Sequence, residues 1–255
     1  MKSTQLAMAL LGRELRERYL STFAGLAWVL ITPVMLLAIY AFVFVELLGA
    51  RFGNRVGGDV IAFLALGMWP WHAFADSLAR GTSALTGNAA LIGQIAIPRV
   101  WLVLVPTLGA ALIHTASFVL VLLILLIMGR LQMGAGAWVA MVAYGLIVVN
   151  AAALSLLLAP LNVFFRDVGT LLPQILTFWM LLTPIFFDRA LLRADLGEWL
   201  ALNPMTGLVE ALRAGLLHDQ VDLTTLYSPL LFTLVLTLCS VIAARRFLAR
   251  IEDFL

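Results

Sequence analysis

The stretch that decides the fold runs from Trp101 to Met128 and reads WLVLVPTLGAALIHTASFVLVLLILLIM, without a single Asp, Glu, Lys or Arg. An α-helix rises about 1.5 Å per residue, so about 20 apolar residues cross the hydrocarbon core of a bilayer. This stretch is long enough to cross, and five others resemble it. The six predicted spans are Phe23–Leu48, Val60–Ala79, Trp101–Met128, Ala137–Pro160, Val168–Phe187 and Thr225–Phe247.

The composition of the whole chain is that of a membrane protein. Hydrophobic residues make up 63% of the 255 residues and charged residues 12%, against roughly 45–50% and about 25% in an ordinary soluble domain. The basic residues are scattered near the ends of the apolar runs and form no patch that would suit nucleic acid. We predict an all-α integral membrane protein that forms a single transmembrane domain over residues 1–255.

The sequence offers little to an enzyme. His72, His114 and His218 lie in different segments, and none has the i, i+4 partner of a helical zinc site. We therefore predict no catalytic residue, no metal site and no cofactor in this chain. The only lysine is Lys2, whereas a nucleotide-binding P-loop needs a lysine to reach the phosphates. If ATP drives the protein's work, a separate ATPase subunit must bind the ATP and its Mg²⁺.

The distribution of basic residues predicts the orientation. With the N-terminus inside, ten Lys and Arg side chains lie on the cytoplasmic side and six on the outer side. Six spans then place both termini in the cytoplasm, as in a multi-pass protein of the inner membrane. The first apolar run is too long for a cleavable signal peptide.

Polar groups inside the predicted spans are few. An ion-coupled carrier would need a carboxylate deep in a span. Glu46 and Asp76 instead fall near span ends, Asp76 close to the inner end of the second span, where each can reach the headgroups. The sequence therefore predicts no ion-coupling site. His114 and Asn150 are expected to face the bundle interior.

Three segments outside the spans have recognisable patterns. Residues 5–20 predict an amphipathic helix in the cytoplasmic interface, or else a solvated cap that only orients the first span. Residues 80–99 carry apolar side chains on a cytoplasmic loop, which usually indicates a partner. Residues 188–222 predict two short re-entrant helices before the last span, the second starting at Asn203-Pro204, or else an ordinary surface hairpin.

Aromatic residues are the remaining candidates for a substrate path. Flat aromatic faces would let sugars slide by stacking contacts, whereas the ordinary interpretation is packing together with the interface belts that Trp and Tyr favour. The side chains in question are those of Tyr40, Phe44, Trp179 and Phe186.

Five motifs in register resemble the ABC-2 type permeases that export cell-surface polysaccharides, in particular the O-antigen exporter membrane subunits. The likeness covers nearly the whole chain. The motifs are Arg16-Glu17-Arg18-Tyr19 with Gly25-Leu26-Ala27-Trp28, Asn88-Ala89-Ala90-Leu91-Ile92 with Ile97-Pro98-Arg99, Asn162-Val163-Phe164-Phe165-Arg166-Asp167-Val168, Leu182-Thr183-Pro184-Ile185-Phe186, and Leu202-Asn203-Pro204-Met205-Thr206 with Glu210-Ala211-Leu212-Arg213.

The resemblance implies a homodimer in the bacterial inner membrane with two separate ATPase subunits below it. It further implies that polysaccharide linked to undecaprenyl pyrophosphate leaves through a channel between the two copies, lined by the four aromatic residues. The residues expected to couple to the ATPases are Arg13, Arg16, Asn88, Leu91, Ile92, Ile95, Arg99 and Arg166. Those expected to form an outer gate are Trp199, Asn203, Pro204 and Arg213.

Two alternatives remain at this point. One is an ABC-2 permease for another cargo, such as teichoic acid or a small hydrophobic compound. The other is an intramembrane transferase that acts on lipid-linked sugars.

Overall fold

A computed structural model describes Gly12 and residues 27–43, 60–89 and 98–248. Every regular element within these residues is helical, which confirms the predicted all-α class. The eight α-helices are α1 (Ala27–Ala41), α2 (Val60–Gly87), α3 (Arg99–Ile127), α4 (Gly136–Phe164), α5 (Asp167–Leu181), α6 (Ala194–Ala201), α7 (Pro204–Leu217) and α8 (Thr224–Phe247), with a 3-10 turn at Arg189–Leu191.

Three of the described helices are long and apolar enough to cross a membrane, judged by length and composition. They are α3, α4 and α8, and they correspond to the third, fourth and sixth predicted spans. The six-span count stays a prediction. The interface helix predicted over residues 5–20 lies outside the described residues apart from Gly12.

The fifth predicted span, Val168–Phe187, is helical only as far as Leu181, and turns follow it to Phe187. The cause is Pro184, which cannot donate a backbone hydrogen bond and disfavours the helical conformation of the residue before it. Hydropathy does not register such a break, because the residues on either side are equally apolar.

Helix α2 forms the centre of the bundle. It packs against α3 and α4 along its length and also touches α1, α5 and α7. Most of its side chains are buried, including those of Phe74, Leu78 and Leu85. Because neighbours cover most of α2, it is the helix against which the others in the described part of the chain pack.

Helix α2 approaches two of its neighbours closely at Gly81. A Cβ at this position would collide with Thr107 Oγ1 of α3 and Ser155 Oγ of α4. Small side chains let helix backbones come close together in membrane bundles, where packing replaces the hydrophobic effect as the main attraction between helices. Gly81 therefore fixes the contact of three helices.

Gly81→Ala should lower the stability of the bundle, because the added methyl group has no room. Overpacking of this kind costs about 1–3 kcal/mol, which thermal unfolding of the detergent-solubilised protein can measure. Gly145→Ala on α4 is the matched control, since a Cβ there meets nothing within 4 Å. Equal unfolding temperatures for the two variants would contradict the three-helix contact.

Candidate functional site

One end of the bundle, here called the Arg99 end, contains the end of α2, the start of α3, the turn between α4 and α5 and the end of α8. Buried Leu85, Leu156 and Leu248 join these elements in one apolar cluster. The Arg99 guanidinium donates to the Leu248 carbonyl oxygen. Asn88 ends α2, and its side-chain amide donates to the Ala84 carbonyl oxygen at 2.8 Å.

Asn162 of α4 connects two of these elements. Its amide nitrogen donates to the Thr82 carbonyl oxygen at 3.2 Å and to Thr86 Oγ1 at 3.4 Å, both on α2. Its amide oxygen accepts from the Gly169 backbone N–H at 2.8 Å, in the first turn of α5. The side chain is buried. Asn162 thus holds the last turns of α2 to the start of α5.

An open cavity of about 460 Å³ lies beside this link. Arg166, Thr86 and Thr170 line it together with Asn162 and Ala89. The structure therefore brings three of the predicted coupling residues, Asn88, Arg99 and Arg166, to the same end of the bundle. The others, Arg13, Arg16, Leu91, Ile92 and Ile95, lie outside the described residues.

The opposite end, here called the Asn203 end, is organised by the N-cap of α7. Asn203 Oδ1 accepts from the Met205 N–H at 3.1 Å, which confirms the helix start predicted at Asn203-Pro204. The same oxygen accepts from Trp179 Nε1 at 2.9 Å. Asn203 Nδ2 donates to the Leu182 carbonyl oxygen at 3.2 Å and to Thr183 Oγ1 at 3.0 Å. One amide therefore caps α7 and holds the broken end of α5.

Arg213 of α7 satisfies the carbonyl groups that the break exposes. Its guanidinium donates to the carbonyl oxygens of Pro184 and Ile185, and to that of Phe63 at 3.1 Å. The guanidinium carbon also lies 3.4 Å from the centre of the Phe63 ring. Only 6% of Arg213 is exposed. Burial lowers the pKa of Arg213 to about 9, against the opposing charges of Asp188 and Glu210, so the side chain stays protonated at neutral pH.

The outer segment thus has a fixed part and an exposed part. Leu208, Leu212 and Leu216 of α7 are buried against the bundle. On α6, by contrast, Trp199 is 73% exposed. Arg189 and Glu210 form an ion pair with an N–O distance of 2.7 Å between the two parts. Burial raises the pKa of the Glu210 carboxyl, and Arg189 opposes this shift.

Two of the aromatic residues predicted to line the substrate path contact α2 at separate places. Trp179 packs edge-on against Phe74 and Trp71, with ring centroids 5.3 and 5.9 Å apart. Tyr40 packs edge-on against Trp69 at 6.3 Å. The side chains of Tyr40, Trp179 and Phe186 are half-buried. Phe44 lies outside the described residues.

Asp76 lies inside helix α2, 11 residues before its last residue. The predicted span ended at Ala79, but α2 continues to Gly87. Asp76 Oδ2 accepts from Arg80 Nε at 2.9 Å and lies 3.1 Å from His114 Nε2. His114 is in the middle of α3, whose apolar sequence surrounds it on both sides. The sequence did not predict this contact between α2 and α3, and the position of Asp76 near the inner end of a span stays a prediction.

Residues 5–217 match the family described as ABC-2 type transporter. The chain belongs to the ABC-2 type transporter family. Three curated relatives carry the name O-antigen export system permease protein RfbA. One, from Myxococcus xanthus, is 28% identical over 82% of this chain and 79% of its own. Two from Klebsiella pneumoniae are each 22% identical over 80% of this chain and 77% of theirs.

The family assignment decides between the broad classes of function. An ABC-2 type transporter moves a cargo through the membrane, so the intramembrane transferase receives no support.

Sequence reasoning did not single out Asn162, and it missed the Asp76–His114 contact. The signal for Asn162 was its position in the matched motif at residues 162–168, where it stands beside the predicted coupling residue Arg166.

Arg213→Lys should destabilise the Asn203 end, because an ammonium group cannot reach three diverging carbonyl groups at once. A hydrogen bond from a charged donor contributes about 1.5–3 kcal/mol, so losing two should cost roughly 3 kcal/mol or more in thermal or denaturant unfolding. Arg193→Lys is the control, since Arg193 is exposed and pairs only with its neighbour Asp195 among the described residues. A wild-type unfolding curve for Arg213→Lys would show that the guanidinium geometry is dispensable.

Proposed function

We propose that this chain is the membrane-spanning permease subunit of an ATP-driven exporter of lipid-linked polysaccharide of the O-antigen type. The observation that carries the proposal is the relationship to three O-antigen export permeases over about four-fifths of the chain. The cargo would be carried on undecaprenyl pyrophosphate. ATP and Mg²⁺ would bind to a partner subunit, in keeping with a chain whose only lysine is Lys2.

The proposed setting is the bacterial inner membrane, with six spans and both termini in the cytoplasm. The Arg99 end would then face the cytoplasm and the Asn203 end the outer side. The ten-to-six distribution of basic residues supports this orientation.

The proposed assembly is a homodimer with two ATPase subunits. Tyr40, Trp179 and Phe186 remain half-exposed in a single subunit, so part of each side chain is open to a neighbouring copy. A second copy would complete a path lined by these aromatic faces and by Phe44. The predicted interface helix, with Arg13 and Arg16, and the segment with Leu91, Ile92 and Ile95 would contact the ATPases.

Asn162 would transmit the ATPase movement. The end of α2 leads directly into the segment proposed to contact the ATPase, and Asn162 ties that end to the first turn of α5. At its other end, α5 is bonded to Asn203 through Trp179 and Leu182. A displacement of the coupling segment would therefore move α5 and, through it, the Asn203 end.

Loss of this protein should leave lipid-linked polysaccharide on the cytoplasmic side of the inner membrane and remove it from the cell surface. Leu91→Asp combined with Ile92→Asp should have the same effect while the protein remains inserted, because charges on that apolar segment would disrupt the ATPase contact. Surface polysaccharide and co-purifying ATPase activity measure the two outcomes. An unchanged polysaccharide distribution after loss of the protein would favour another cargo, such as a small hydrophobic compound.

Asn162→Ala should uncouple the ATPase from export. The expected result is ATP hydrolysis within about twofold of wild type with export reduced about tenfold, since the variant removes the bonds between α2 and α5 but not the ATPase contact. Gly169→Ala should act in the same direction, because its Cβ would lie 2.8 Å from Asn162 Oδ1. Gly87→Ala is the control, with open space around its Cβ. A proportional fall of both activities would indicate simple loss of folded protein.

A further inference from the structure

Helix α6 has little packing to hold it in place. None of its described side chains is buried, and Leu196 and Trp199 are exposed. Helix α7, which follows it in the chain, is by contrast buried along one face. Most of the free energy that holds a helix in a protein comes from burying apolar side chains. The position of α6 on α7 therefore depends largely on its polar contacts.

Arg189 makes the polar contact between the two helices. Its Nε donates to Glu210 Oε1 of α7 at 2.7 Å, and its Nη1 donates to the Gly197 carbonyl oxygen of α6 at 3.4 Å. In the described part of the chain, the bond to Glu210 is the only side-chain hydrogen bond or ion pair that joins residues 188–202 to another helix. The other side-chain bonds of this segment stay within it. Arg189 thus bridges α7 and α6.

The same ion pair lies between two cavities at the Asn203 end. Arg189 and Glu210 line a cavity of about 180 Å³ together with Asp188 and Arg213. They also line a second cavity of about 200 Å³, to which α8 contributes. Because both members of the pair line both cavities, the pair is part of the wall that the cavities share. Separating Arg189 from Glu210 would join the two spaces.

The surroundings of this ion pair make it stronger than a surface pair. The side chains of Arg189 and Glu210 are 32% and 27% exposed, against 81% and 57% for those of Arg193 and Asp195 on the same segment. Exposed ion pairs contribute little, because water and salt screen their charges, whereas partly buried pairs are screened less. Of these two pairs, only the one with Glu210 is placed to hold α6 on α7.

We propose that Glu210 is a positioning residue for the exit side of the permease: through Arg189 it holds α6 against α7, and separation of this ion pair releases α6. Helix α7 stays in place when α6 is released, because Arg213 bonds it to three backbone carbonyl groups. That the held helix lies at the exit rests on the proposed export function, whereas the contact between α6 and α7 does not.

Hydrogen–deuterium exchange of the full-length protein in lipid nanodiscs tests this role. In Glu210→Ala, the backbone amides of α6 should exchange about 3- to 10-fold faster at short labelling times, the range that loss of one charge-assisted hydrogen bond in a part-exposed pair produces. Exchange along α7 should change by less than about twofold. The unfolding temperature should stay at the wild-type value, because the bundle itself loses no contact.

A double-mutant cycle separates a shared contact from two independent effects. If Glu210 acts through Arg189, the variant with both Arg189→Ala and Glu210→Ala should exchange no more than about twofold faster than Arg189→Ala alone. Arg193→Ala is the matched control, since it removes an arginine of the same segment whose ion pair stays within that segment. Exchange of α6 in this control should match wild type.

Four results would overturn the role of Glu210. They are unchanged α6 exchange in Glu210→Ala, an equal increase along α7, multiplied effects in the double variant, and the same increase in Arg193→Ala. None of the four bears on export itself, which the loss of surface polysaccharide in the absence of the protein tests. The two proposals therefore fail separately.

Discussion

The guanidinium of Arg213 bonds to backbone carbonyl groups that follow the break in a helix at the edge of an apolar bundle. Where α5 ends at Leu181, backbone carbonyl groups lose their helical donors, and no water is available inside an apolar environment to replace them. Arg213 reaches the carbonyl oxygens of Pro184 and Ile185, and its bond to Phe63 ties the same group to the start of α2. Gly67 leaves the space for it, since a Cβ there would lie 2.8 Å from Arg213 Nη2. Arg213 and the Asn203 amide together hold this end of the bundle.

Helix α5 is held mainly by its two ends. Only Leu172 and Leu176 among its side chains are buried, so packing along its length is slight. An asparagine amide is bonded to each end. Asn162 accepts a hydrogen bond from the Gly169 N–H, and Asn203 accepts one from the Trp179 indole N–H and donates one to the Leu182 carbonyl oxygen. A helix is stiff along its axis. A helix fastened at both ends passes a displacement from one end to the other with little loss. A helix packed firmly along its whole side would have to move its neighbours as well.

The features that sequence could predict are those set by local rules. The N-cap at Asn203 depends on the residues that follow it, and the buried face of α7 depends on a helical repeat of leucines. Arg213, Asp76 and Asn162 each have one partner far away in the chain, at 150, 38 and 80 positions. No spacing rule relates residues so far apart, so the contact of Asp76 with His114 could not be predicted from the sequence. The end of helix α5 at Leu181 was not predicted for a different reason. Hydropathy reports how apolar a segment is and does not show where a helix stops.

Helices α7 and α6 of the outer segment differ in how firmly they are held. Freeing α7 from the bundle would break three hydrogen bonds that Arg213 donates, and each lost bond from a charged donor costs about 1.5–3 kcal/mol. Helix α7 therefore moves only as a unit with the end of α5 and the start of α2. Helix α6 is held less firmly: Arg189 Nη1 donates to the Gly197 carbonyl oxygen at 3.4 Å, and Trp199 and Leu202 are 73% and 74% exposed. Segments with few buried contacts open at the lowest free energy, so α6 is the helix of this end that we expect to open at the lowest cost.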